Sequence, residues 1–160
     1  MTLAQQISKQ FREVYLDGKW VAFTNLKKEL TGVNWEQATT KVSTLNTIAA
    51  LTYHLNYYVS GLLRVLQGGP LDIRDKYSFD CPPIESQADW EKLLLKSWQD
   101  AEQFAALVAT LSDDQLFDDF IDPQYGNYHK NIHAIIEHGY YHLGQIVLIR
   151  KLLAADSKEL

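Results

Sequence analysis

Four of the chain's five histidines, His129, His133, His138 and His142, crowd into one stretch near its C-terminal end. Two of them stand in His138-Gly139-Tyr140-Tyr141-His142, a spacing of four. On an α-helix four residues advance about 400°, so these rings stand roughly 40° apart and one turn up, able to address one ion. A third imidazole, His54, lies beside Leu51, Leu55 and Tyr58 in another periodic segment. Three neutral imidazoles converging on a divalent cation leave coordination positions free for water or substrate, as in a catalytic rather than a closed structural site. All-nitrogen ligation suits zinc, nickel, iron or copper without choosing among them. Spacing alone also fits histidines hydrogen-bonded to core or surface groups, with no metal role.

The other two histidines are expected outside this set. His133 precedes His138 by five residues and points about 140° away from it on an ideal helix, toward the surface or a cap. His129 is expected to precede the helix as a solvated loop residue. Absences narrow the chemistry further. A zincin protease needs glutamate directly after the first histidine, where this chain has Gly139; Glu137 lies on the wrong side. No Glu-x-x-His occurs, so a ferritin-like di-iron site lacks its ligands. No phosphate-binding glycine loop is present, and Gly68-Gly69-Pro70 reads as a helix stop.

The elements that must position the histidines are helical. Leu3, Ile7, Phe11, Val14 and Tyr15 recur at three- and four-residue steps and start a first helix. It is expected to run to Leu30 through Trp20, Phe23 and Leu26, with a kink at Asp17-Gly18 and a stop at Gly32. Residues 33–43 read as a connection. A second helix spans about Leu45 to Leu66, a third about Gln87 to Leu111 and a fourth about Asn131 to Ala154. No strand alternation and no internal repeat stands out, so the expected fold is an all-α four-helix bundle. The link between helices 2 and 3 is long for a tight turn. Some 18 extended residues reach roughly 60 Å, enough to return along a helix of about 33 Å. Helices 2 and 3 are thereby free to point the same way.

Composition sets the frame. The 160 residues are 46% hydrophobic and 22% charged, with a formal charge of −5, which suits one ordinary globular domain over residues 1–160. An acidic chain lacks the basic face that nucleic acid demands. The uncharged stretch from Val42 to Leu63 contains Asn46, Thr52, His54 and Asn56, polar groups costly in hydrocarbon, so no membrane span is expected. Lysine, arginine and glutamate interrupt the first residues where a secretory signal needs an apolar run, making a cytoplasmic address the default. The single cysteine, Cys81, excludes an intrachain disulfide and a cysteine-rich zinc site. It sits in a proline-rich loop without a basic neighbour in sequence, as an ordinary loop cysteine.

With these residues in view, the chain resembles the DinB/YfiT-like superfamily. The likeness rests on His54 within TYHLNYY and on the later motif EHGYYHLGQI, and it covers nearly the whole chain in helix order and length. The resemblance implies an up-down-down-up bundle with its long connection between helices 2 and 3. It implies a divalent metal, nickel or zinc, held by His54, His138 and His142, and a homodimer. Members include S-transferases and isomerases that use a low-molecular-weight thiol, and others described as metal-dependent hydrolases.

Three functions follow as expectations. In the first, a thiol-dependent S-transferase, the metal stabilises the thiolate of a cosubstrate and presents it to a small electrophile. Tyr57, Tyr58 and Tyr141 are the candidate pocket liners for that small-molecule substrate, with core packing as the competing role for each. In the second, the bound ion lowers the pKa of its water to about 7 for hydrolysis. In the third, the bundle is a non-enzymatic binding or stress-associated protein whose metal is structural or vestigial.

Overall fold

The computed structural model describes residues 1–156. Its architecture is helical, with four long helices enclosing one connected core. Helix α1 (Leu3–Tyr15) begins at a reciprocal cap, Thr2 accepting from the Gln5 amide while the Gln5 side chain accepts from Thr2 N–H. It buries Ala4, Ile7, Phe11, Val14 and Tyr15 on one face. Short helices α2 (Leu26–Leu30) and α3 (Trp35–Thr39) follow, then α4 (Ile48–Leu66), α5 (Gln87–Val108), the short α6 (Asp113–Phe117) and α7 (Tyr128–Asp156).

The first helix is shorter than its periodicity suggests. The amides of Leu16 and Asp17 both turn back to the Arg12 carbonyl, and Asp17 pairs with the Arg12 guanidinium. Asn25 then ties the loop shut, donating to the Gly18 carbonyl at 2.5 Å and capping α2 through the Lys28 amide at 2.8 Å. Asp17-Gly18 is therefore an end rather than a kink. Trp20 and Phe23, expected on the buried face, are 83% and 79% exposed. The expected connection 33–43 contains α3, because Asn34 and Gln37 form a second reciprocal cap and Ala38 packs into the core. Helix α4 starts at Ile48 rather than Leu45, where Thr47 accepts from the Ala50 amide. Helix α5 stops at Val108, short of Leu111.

Helix α1 packs on α5 and α7, and α4 packs on the same two, so α1 and α4 lie across the bundle from each other. Ser8 donates to the Ala105 carbonyl while Arg12 meets Glu102, so α1 and α5 run antiparallel. Helices α4 and α7 are also antiparallel: Ile48 shares a cavity wall with Leu153, while Tyr58 and Leu62 share another with Asn131 and Ile135. Both relations are ones that an up-down-down-up order contains. Trp90, fully buried, donates through Nε1 to the Val33 carbonyl at 2.7 Å and pins α5 to the α2–α3 loop.

Two irregular segments decide how the site is built. Residues 67–86 return along α4, and Ile73 packs where any Gly61 side chain would lie, since a Cβ there would stand 2.5 Å from Ile73 Cγ1. The α6–α7 link is closed by the Tyr128 amide on the Asp118 carbonyl, and Asn127 caps α7 through the Lys130 amide at 2.9 Å. Among the described residues no helix is long and apolar enough to cross a membrane.

Candidate metal centre

The antiparallel α4–α7 pair sets His54 against the two histidines of the last helix. Ring centroids lie 4.8 Å from His54 to His138, 4.9 Å from His54 to His142, and 4.5 Å between His138 and His142. One nitrogen of each ring falls within 4.8 Å of the others. Among the described residues this is the only group of three or more His, Cys, Asp or Glu side chains so gathered. A tetrahedral ion with bonds of about 2.0–2.1 Å spaces its nitrogens roughly 3.3 Å apart.

The outer ring nitrogens fix which atoms face inward. His54 Nδ1–H donates to the Ser78 carbonyl at 3.3 Å, and His142 Nδ1–H donates to Gln145 Oε1 at 2.7 Å. The Ser78 carbonyl can only accept, so the neutral His54 ring turns its Nε2 lone pair to the centre, and His142 does the same with Gln145 Oε1 as its acceptor. His54 Nε2 and His138 Nε2 stand 3.0 Å apart. Two lone pairs at that distance repel; a proton or a cation must lie between them. The donor set therefore fits a borderline divalent metal ion, which nitrogen ligands favour.

Electrostatics agree. Burial, then the neighbouring His142 and His54, push His138 down to about 4. Burial and His142 lower His54, opposed by the Ser78 carbonyl and Asp75. Burial lowers His142, with Gln145 opposing. The rings are thus neutral near pH 7, the form that ligates metal.

The DinB superfamily's sequence model matches residues 16–146.

The chain belongs to the DinB superfamily.

No curated protein and no solved structure matches the chain. The match spans α2 through most of α7, and so contains all three clustered histidines.

Around the triad stands an aromatic collar. Phe79 stacks on His54 with centroids 4.0 Å apart and planes 12° from parallel. Tyr58 meets His54 and His138 edge-on at 5.2 and 5.1 Å, and its hydroxyl donates to Asp75 at 2.9 Å. Tyr58 also walls a cavity of about 380 Å³ shared with Leu62, Ile73, Arg74, Phe120 and Asn131. Tyr57 stands behind Tyr58, its hydroxyl exchanging hydrogen bonds with the Arg74 backbone. Tyr141 flanks His142 at 4.8 Å and is 65% exposed, so core packing is not its role.

Ser78 and Phe79 escape sequence reasoning, and Asp75 is a carboxylate that sequence cannot place, because residues 67–86 carry no periodic signal. Gln145 was findable, since a residue three after His142 shares its helix face. Cys81 is half-buried, donates to the Pro82 carbonyl and lies outside the triad; burial pushes its thiol up. His133 is outside the triad and half-buried, rather than on the open surface or at a cap. His129 departs from expectation: α7 begins at Tyr128, so His129 is helical and stacks on Phe117 at 5.2 Å.

Proposed function

We propose that this DinB-superfamily bundle binds one divalent metal ion, nickel or zinc, through His54, His138 and His142, and catalyses thiol-dependent S-transfer to a small electrophile. The observation that carries the reading is the composition of the cluster: three neutral imidazoles, with no carboxylate and no thiol of the chain among them. A divalent ion bound there acts as a Lewis acid that lowers the pKa of a coordinating thiol toward neutrality. Ser78 and Gln145 hold two imidazoles in the ligating tautomer. Phe79 and Tyr58 pack against the imidazoles on the α4 side, and Tyr58 also walls a cavity of mixed polar and apolar lining that suits a small polar electrophile. Cys81, its thiol pushed up and its hydrogen bond spent on Pro82, is a poor nucleophile, so the thiol arrives with a cosubstrate. In the transfer, sulfur forms the new bond to carbon, its proton passes to solvent, and the leaving group departs with its bonding pair.

Asp75 favours one second reading, metal-dependent hydrolysis. Its carboxylate is held by Tyr58, whose ring touches two of the three histidines, and it acts electrostatically on His54. A carboxylate so placed is a candidate general base for a water in the centre. Metal analysis of protein purified without a histidine tag and desalted tests the shared premise: one tightly held nickel or zinc equivalent per chain is expected, and loss of that equivalent in His138→Ala. Thiol consumption is then followed across a panel of electrophiles. Loss of turnover in His142→Ala supports S-transfer; equal rates in both proteins overturn it. Turnover that needs metal but no thiol, and falls in Asp75→Asn, transfers the assignment to hydrolysis.

A further inference from the structure

A second pair of histidines lies on α7, away from the triad. His129 and His133 are four residues apart, and their ring centroids are 4.4 Å apart with planes 39° from parallel. His129 is held from outside by Phe117 of α6, which stacks on it with planes 21° apart. Both rings are half-buried, and His133 lines a groove of about 690 Å³ between α1 and α7, which gives that ring an aqueous approach. Glu137, the next turn along, is exposed and acts electrostatically on His133, adding negative charge to the approach.

We infer that His129 and His133 form a second transition-metal site, a two-imidazole chelate on the surface of α7 whose remaining positions are filled by water. Two imidazoles one turn apart on a rigid helix bind an ion without ordering new backbone, so little entropy opposes the chelate. Burial and the neighbouring His129 lower the pKa of His133, so that ring is neutral and its lone pair free near pH 7. Nitrogen ligands with open positions favour copper(II) over nickel(II) and zinc(II). The site is independent of the triad. Five residues from His133 to His138 correspond to about 7.5 Å of rise and 140° of rotation, too far for the two sets to share one ion.

Calorimetric titration of the tag-free, metal-stripped protein with copper(II) tests this. Wild type is expected to bind two ions per chain, and the His129→Gln/His133→Gln variant one. His138→Ala is expected to keep the α7 surface site, so failure of the triad reading and failure of this one are separable. The single variant His133→Gln, with fold checked by circular dichroism, should weaken the second site by more than the roughly 10–100-fold that loss of an outer-sphere partner costs. Unchanged stoichiometry and affinity in the double variant would overturn the inference, as would a wild-type protein whose only bound ion is lost in His138→Ala.

Discussion

Helix α7 contains two glycines, Gly139 and Gly144, whose replacement by alanine should move stability in opposite directions. Gly139 sits beside the ligand His138 and faces Tyr15. A Cβ built there would stand 2.6 Å from Tyr15 Cε2 and 3.0 Å from Cζ. Tyr15 has nowhere to go: it is buried, its ring stacks on Phe11 at 4.4 Å, and its hydroxyl donates to the Ile135 carbonyl at 3.1 Å. Ordinary carbon contact begins near 3.5 Å, so α1 and α7 must part by about 1 Å. Overpacking of that kind costs about 1–3 kcal/mol, against a helix-propensity gain of up to about 1 kcal/mol, leaving Gly139→Ala destabilised by up to about 2 kcal/mol. A Cβ on Gly144 meets nothing within 4 Å, so Gly144→Ala keeps only the gain, about 0.5–1 kcal/mol. Thermal and urea unfolding of the metal-free proteins, with chelator present, should place the two variants on either side of wild type, about 4–8 °C apart in Tm. Metal affinity should fall in Gly139→Ala, because the shift of α7 displaces His138 and His142 relative to His54. Two variants that shift the same way would refute the close α1–α7 contact at Tyr15.

Three further outcomes follow from the site and the core. Gln145→Leu removes the acceptor that orients His142 and should weaken metal binding about 10–100-fold with the fold intact, read by competition with a chromogenic chelator; unchanged affinity would show that Gln145 does not set the tautomer. In the metal-free protein the triad's folded pKa values lie below the ordinary histidine value of 6.5, with His138 at about 4, so the unfolded chain binds more protons between those limits. Stability should thus be full above about pH 6.5 and decline as pH falls toward about 4, with a shallower decline in His138→Ala; identical urea midpoints at about pH 7 and pH 5 would contradict this. Trp90→Phe strands the Val33 carbonyl and opens a void at a fully buried position, for a loss of about 2 kcal/mol or more in unfolding free energy.

The features that sequence made legible are those governed by helical period. His138 and His142 declared themselves through a spacing of four, and His54 through its place on the apolar stripe of α4. The same rule overreached at Trp20 and Phe23, which continue the period of α1 although Arg12, Asp17 and Asn25 close the helix before them. Local hydrogen bonds there outweighed the hydrophobic pattern, and Ala22 and Phe23 adopt left-handed backbone with φ of 57°. His129 was misplaced for a related reason: Asn127 and the Tyr128–Asp118 bond, a contact between distant residues, set where α7 begins. Ser78, Phe79 and Asp75 reach the site only because residues 67–86 fold back on α4, which no local pattern announces.

The grip of Ser78 and Phe79 on His54 has a thermodynamic consequence. The loop that holds the imidazole is secured by the same ring that offers its other nitrogen to an ion, so opening the loop and vacating the centre are linked equilibria. An ion held at one hundred times its dissociation constant would add about 2.7 kcal/mol to the free energy of any opening that releases His54. Amide exchange and protease cleavage between Gln67 and Ser86 would slow accordingly. The return strap is thus a gauge of occupancy, readable without any assay of turnover.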